Sequence, residues 1–118
     1  MDLPHFFSNA KTASAILAEL LDTMKPAEFE KVKILTAFTC PPAVVMSSKE
    51  IKALEDIKNL SLRSSGTGAE MLKRLGAAPV AMPQSDVPDA LQKGVVKGNV
   101  SSAEVLRVMN YAAYCPYV

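Results

Sequence analysis

One arginine stands where a ligand-binding cation could act. Arg63 ends an alternating stretch in which Leu60 and Leu62 point one way and Arg63 points the other, as in a β-strand. Ligands of open α/β sheets bind beyond the carboxyl ends of the strands. A guanidinium there can hold a carboxylate through two parallel hydrogen bonds. From spacing alone, a solvated surface arginine is the more ordinary interpretation.

The sequence after Arg63 adds possible anion contacts. Residues 64–68 read Ser-Ser-Gly-Thr-Gly, which predicts a flexible loop before a helix, and the backbone amides around Ser65 and Gly66 could donate to the same anion. Asn99 and Ser101 follow a predicted strand at Val95 and Val96 and would also reach the sheet edge. Ser101 could equally serve only as a helix cap.

Other chemistries find no support in the sequence. The spacing of Gly66 and Gly68 begins a dinucleotide fingerprint, but Met71 occupies the position of its third glycine. No nucleophile adjoins a base, since His5 is N-terminal and Cys40 precedes a proline, so we expect no enzyme activity. One histidine and two cysteines predict no metal site and no cofactor. Cys40 and Cys115 are both interpreted as free core thiols.

Composition limits the remaining function classes. The protein has 118 residues, of which 49% are hydrophobic and 21% charged, and this balance predicts one compact domain. A net charge of +1 gives no field that would favour nucleic acid. No apolar run approaches the roughly 20 residues of a membrane-spanning helix. The N-terminus lacks a secretory signal, so the protein is either cytosolic or given without its signal peptide.

Periodicity and turn residues predict alternating helices and strands, and therefore an α/β fold with a largely parallel sheet flanked by helices. The predicted helices cover residues 12–24, 54–58, 69–75 and 85–93, with a further helix that starts at a capping box at Ser101 or Ser102 and runs to about Asn110. The predicted strands cover residues 32–39, 60–63, 79–82 and 95–96.

Two linked motifs give a specific resemblance. Residues 51–63 (IKALEDIKNLSLR) resemble the pattern "pi-sledlkGlkiR", and residues 75–98 resemble "lGa-pv-mp-sev--ALqkGvvdG", both of the DctP-type solute receptors of tripartite ATP-independent periplasmic (TRAP) transporters. Residues 3–21 resemble the segment that precedes a crossover strand in that family. The resemblance implies residues 1–118 to be one lobe, the C-terminal-side domain, of a two-lobe periplasmic receptor of type II-like fold, with a connecting helix segment in residues 1–30.

The same resemblance implies site roles. The family arginine at the position of Arg63 forms the salt bridge with the ligand carboxylate, Gln84 falls in a loop that often contacts ligand, and residues 99–102 fall in a segment of polar contacts. Two departures narrow the ligand. Sialic-acid-type members carry the segment "QeNp" where residues 99–102 read Asn-Val-Ser-Ser, so Ser101 stands in place of their ligand-binding asparagine. Residues 42–45 carry no second arginine. A small monocarboxylate, partly apolar, is therefore favoured over a sialate-like ligand.

Three functions stay open on these grounds. The favoured one is a receptor that captures a small organic acid and delivers it to the TRAP membrane subunits, with the missing second lobe as partner and self-association of the isolated lobe through apolar surface. The others are an α/β enzyme or regulatory domain that reuses an anion pocket, and a remnant lobe used for protein association.

Overall fold

The computed structural model describes residue 7 and residues 9–118. The protein divides into two compact units, Met1–Pro42 and Ala43–Val118. His5 and the beginning of the stretch 3–21 that resembles the family lie outside the described residues. The assignment of residues 1–30 to a connecting segment stays a prediction.

Helix α1, Ala10–Met24, dominates the first unit and confirms the helix predicted over residues 12–24. Asn9 caps its start, because the side-chain oxygen accepts a hydrogen bond of 2.9 Å from the backbone amide of Thr12. The helix ends where Lys25 takes a left-handed conformation, with φ of 41°, and Pro26 follows. A 3₁₀ turn at Ala27–Phe29 comes next.

The strand predicted over residues 32–39 is wrong. That stretch forms no sheet ladder within the described residues: the amide of Val32 donates to the Phe29 carbonyl and the amide of Thr39 to the Ser14 hydroxyl. The apolar side chains are also not buried, and Leu35 is 86% and Phe38 71% exposed. A run of apolar residues marks a buried strand only where a partner strand pairs with it.

The second unit holds the sheet and four short helices. The strands are β1 (Val44–Ser47), β2 (Ser61–Arg63), β3 (Ala78–Val80) and β4 (Gly98–Ser101). The helices are α2 (Leu54–Ile57), α3 (Thr67–Arg74), α4 (Val87–Gln92) and α5 (Val105–Val108), with 3₁₀ turns at Gln84–Asp86 and Tyr111–Ala113. Gly76 and Gly94, with φ of 84° and 69°, close α3 and α4 as the sequence predicts.

The strand order is β1-β4-β2-β3, with β4 parallel to β2, β2 parallel to β3, and β1 antiparallel to β4. The α/β prediction with a mostly parallel sheet is confirmed. Alternation divides the sheet into two faces. One carries Leu62 and Val100 into a cluster with Leu60, Leu72 and Ala77. The other carries Met46 into a larger cluster with Val87, Ala90, Leu91, Val96, Val105, Tyr111 and Cys115.

Two predicted boundaries after α4 are wrong. Val95 and Val96 are not a strand, because both backbone amides donate to the Ala90 carbonyl and so belong to the turn that follows α4. Pairing starts at Gly98, and Ser101 lies within β4 opposite Val44. Ser101 therefore cannot begin a helix, and α5 starts at Val105 without a hydrogen bond from a capping side chain.

Gly98 should tolerate no side chain. A Cβ there would meet the backbone oxygen of Met46, with Cδ2 of Leu62 at 2.8 Å and Cα of Ser47 at 3.1 Å. The backbone atoms of β1 cannot move without disrupting the pairing of β1 with β4. Gly98→Ala should therefore lower the free energy of unfolding by about 3 kcal/mol. Urea unfolding measures the loss. A change below about 0.5 kcal/mol would contradict this close approach of β1 to β4.

Asp56 should make stability depend on pH. Backbone N–H groups of Lys52 and Ala53 donate to its carboxylate at 2.9 and 3.0 Å and hold the pKa of Asp56 below its ordinary value. The stabilisation is therefore present above the pKa of the unfolded state and lost as pH falls through the folded pKa. Asp56→Asn should lower the melting temperature at pH 7, and the difference should shrink below about pH 4. Glu55→Gln, which removes a neighbouring charge, is the control, and a difference independent of pH would contradict the assignment.

Candidate functional site

Arg63 is the last residue of β2 and is only 9% exposed. The Nε and Nη2 atoms of its guanidinium donate to the Met82 carbonyl at 3.1 and 2.8 Å. Two bonds from one edge of the guanidinium to one oxygen fix the plane of the group. The sequence expectation that Arg63 points away from Leu60 and Leu62 is confirmed, since those leucines belong to the opposite face.

The charge of Arg63 has no carboxylate partner among residue 7 and residues 9–118. The ion pairs found there join Lys52 to Glu50, Arg74 to Glu70 and Lys93 to Asp89, all at the surface. Buried charges in proteins are normally paired, because removing a charge from water is costly. A buried arginine held only by a carbonyl can therefore accept an anion.

Asn99 lies beside Arg63 on the adjacent strand. The two Cα atoms are register partners between β4 and β2, so both side chains leave the same face of the sheet. Asn99 is fully buried, and neither Nδ2 nor Oδ1 has a hydrogen-bond partner among the described residues. Such an amide is costly unless something else completes its hydrogen bonds.

Ser101 shares that face, two residues further along β4. It is half-buried and lies beyond the end of β2, opposite Val44 of β1. Sequence analysis predicted Asn99 and Ser101 to follow a strand, whereas both lie within one. Strand alternation nevertheless brings Arg63, Asn99 and Ser101 onto one face of the sheet. This face therefore carries a cation, an amide and a hydroxyl close together.

Gln84 is hydrogen-bonded to Tyr111, a residue that sequence analysis did not connect with the site. Its Nε2 donates to the hydroxyl of Tyr111 at 3.1 Å, and that hydroxyl donates to the Gln84 carbonyl at 3.2 Å. Burial raises the pKa of Tyr111, while the positive charge of Arg63 acts in the opposite direction. A buried tyrosine needs a partner for its hydroxyl, but sequence spacing does not tell which residue supplies it.

Ser65 and Gly66 form an exposed turn between β2 and α3. Gly66 has φ of 56° and immediately precedes the helix. The turn adjoins Arg63 along the sequence, while the intervening Ser64 is buried and its amide donates to the Val80 carbonyl at 3.3 Å. Ser65 and Gly66 are therefore close to Arg63 in the sequence, and both are exposed to solvent.

Both cysteines are free. Cys115 is buried in the cluster around Tyr111, and burial raises the pKa of its thiol. Cys40 is exposed, so the interpretation as a core thiol is wrong for it. Within the described part of the protein no three acidic, histidine or cysteine side chains form a metal-binding group, and no helix is long and apolar enough to cross a membrane.

A separate hollow of about 330 Å³ lies in the first unit. Apolar side chains dominate its lining, which consists of Leu21, Lys25, Pro26, Phe29, Glu30, Val32 and Ile34. None of the residues predicted to bind ligand contributes to it. Its one cation, Lys25, terminates α1 and is not set in a sheet as Arg63 is.

Solved structures share this fold. A TRAP periplasmic solute-binding protein from Desulfovibrio salexigens matches with 44% identity and a TM-score of 0.82 over 97% of this chain and 36% of its own. Its structure is an open complex with the C-terminus of a symmetry mate in the ligand-binding site. A TRAP solute-binding protein from Rhodoferax ferrireducens, in complex with copurified benzoate, matches with 33% identity and a TM-score of 0.84 over 96% of this chain and 36% of its own.

Sequence comparison agrees with the fold. A solute-binding protein of a Sulfitobacter species is 27% identical over 98% of this chain and 37% of its own length. The protein thus spans little more than a third of the length of each of these three relatives. All three of these relatives are solute-binding proteins. The family model of bacterial extracellular solute-binding proteins, family 7, matches residues 1–118. The protein therefore belongs to the DctP family.

Proposed function

We propose that this protein is the ligand-gripping lobe of a TRAP receptor, in which Arg63 holds the carboxylate of a small organic acid. The observation that carries the proposal is a buried guanidinium at the carboxyl end of a strand, without a carboxylate partner among the described residues. An acid that binds there supplies the missing opposite charge. The receptor then delivers the intact acid to the TRAP membrane subunits, and no bond is broken.

The hydrogen bonds of Arg63 suggest how the acid docks. The Met82 carbonyl occupies the Nε and Nη2 edge of the guanidinium. The edge formed by Nη1 and Nη2 is left for a ligand, and it can donate two parallel bonds to a carboxylate. We infer that the acid binds end-on, with the Met82 carbonyl still in place as the group that orients the arginine.

The neighbourhood of Arg63 favours a partly apolar monocarboxylate. Val80 lies beside Arg63 on β3, and Met46 and Met82 pack with Val80 in the same cluster, so apolar groups surround the cation. Benzoate in the Rhodoferax relative and the C-terminus of a symmetry mate in the Desulfovibrio relative both present one carboxylate. Asn99 and Ser101 supply polar contacts on the same face, with Ser65, Gly66 and Gln84 as outer candidates.

The complete receptor requires partners that residues 1–118 do not supply. A second lobe closes over the ligand, and the exposed apolar side chains of Val32, Leu35 and Phe38 are surface that a neighbouring lobe could cover. The same surface would let the isolated lobe self-associate. The family match supports a periplasmic location for the receptor, and the net charge of +1 gives it no preference for nucleic acid.

Removal of the guanidinium should abolish tight binding. In the complete receptor, Arg63→Ala should weaken binding of benzoate by roughly 30-fold to several-thousand-fold, because a buried charged anchor contributes about 2 to 5 kcal/mol. Isothermal titration calorimetry measures the change. Arg74→Ala is the matched control, because Arg74 lies at the surface of α3 and pairs only with Glu70 among the described residues. Equal affinities for the parent and Arg63→Ala would refute the proposal.

The hydroxyl of Tyr111 should act on the site through Gln84. Its two hydrogen bonds anchor the residue that follows Met82 and Pro83, and Met82 in turn orients Arg63. Tyr111→Phe should weaken benzoate binding about threefold to tenfold, with about 1 kcal/mol lost in unfolding free energy. In the Arg63→Ala background the affinity loss should vanish while the stability loss remains. Tyr114→Phe, in the same segment, is the control, and an affinity loss that persists without Arg63 would contradict this route.

A further inference from the structure

We propose that Asn99 is the specificity-determining residue of this site and selects acids that carry a hydroxyl group close to the carboxylate. The inference rests on the proposed function, in which Arg63 binds the carboxylate. It adds a second requirement for the ligand, a small group that both donates and accepts a hydrogen bond.

The first step is the placement of the two side chains. Asn99 and Arg63 are register partners on adjacent parallel strands, and such strands lie about 4.8 Å apart. Both side chains project from the face that also carries Met46 and Val80. When the guanidinium of Arg63 holds the carboxylate of a ligand, the ligand atoms next to that carboxylate therefore lie close to the Asn99 amide.

The second step is the unmet hydrogen bonding of that amide. Asn99 is 0% exposed, and both its nitrogen and its oxygen are buried without a partner among the described residues. An unsatisfied buried polar group costs about 1 to 3 kcal/mol. A leucine of similar size would fill this apolar surrounding without that cost. The amide of Asn99 can thus form hydrogen bonds with a ligand, because it forms none within the described part of the protein.

The third step is the chemistry that fits an amide. An asparagine side chain donates through nitrogen and accepts through oxygen. A hydroxyl group can do both at once, whereas a carboxylate only accepts and an aromatic ring does neither. A site that is built to hydrogen-bond a hydroxyl discriminates strongly against the analogue without it, because the buried polar group is then left unpaired.

Burial limits the size of the group. Neither amide atom reaches the surface in the described arrangement, so a ligand group must enter a space that the surrounding side chains open as it binds. Ser101, two residues along β4 on the same face, is half-buried. A hydroxyl requires the least rearrangement, because it is the smallest group that both donates and accepts a hydrogen bond.

Matched acids test the proposal in the complete receptor. The pairs are mandelate with phenylacetate and 2-hydroxybenzoate with benzoate, each measured by calorimetry on the parent, Asn99→Leu and Arg63→Ala. We expect the parent to prefer the hydroxylated acid of at least one pair by about tenfold to hundredfold. Asn99→Leu should abolish that preference by weakening the binding of the hydroxylated acid, and should not lower the melting temperature of the ligand-free protein. Asn99→Ser serves if the leucine variant does not fold, and should reduce the preference in the same direction.

The outcomes separate the two proposals. Loss of binding of both members of a pair in Arg63→Ala supports the carboxylate anchor whatever Asn99 does. No preference in the parent for either hydroxylated acid overturns the role of Asn99, and so does a preference that survives Asn99→Leu. A leucine variant that loses both members equally, together with a lower melting temperature, assigns Asn99 to the fold alone and also overturns the proposal.

Discussion

The second unit, Ala43–Val118, must accommodate the buried positive charge of Arg63, which is hydrogen-bonded to a carbonyl. Arg63 must be kept out of water at the end of β2, and the Met82 carbonyl stabilises it with two hydrogen bonds but does not neutralise it. A carboxylate of the protein in that place would stabilise the fold and would also occupy the site. The unit keeps acidic side chains in surface pairs instead, as with Glu50, Glu70 and Asp89.

The mixed sheet explains how a polar face and a packed core coexist. Alternation along β4 sends Val100 to the cluster with Leu62, while Asn99 and Ser101 leave on the side of Arg63. The larger cluster surrounds these polar groups with apolar side chains, which excludes water and strengthens every electrostatic interaction there. Family membership places this arrangement among the bacterial extracellular solute-binding proteins of family 7, and the charge on Arg63 is the feature on which the proposed binding of an acid rests.

Sequence reasoning succeeded where a local rule decides the outcome. Helix α1 follows from its apolar period and Pro26, and the strand ending at Arg63 follows from alternation. It failed where a partner distant in sequence decides. Residues 32–39 have a strand's composition without a paired neighbour among the described residues, and the apolar pair Val95 and Val96 completes the turn after α4. The hydrogen bond between Gln84 and Tyr111 could not be predicted for the same reason, because the local sequence does not indicate which polar atom a buried hydroxyl contacts. Family resemblance supplied what spacing alone did not, namely the choice of Arg63 over a surface interpretation.

The strand order has a consequence for how this unit is made. Val44 pairs with Ser101, and Ser47 bridges to Tyr117, so β1 leaves the ribosome well before either of its partners exists. Strands β2 and β3, joined by α3, can meet early, whereas β1 stays an open edge until nearly the whole unit has been synthesised. Late closure of this kind slows folding and leaves an unpaired strand exposed while the polypeptide is being made.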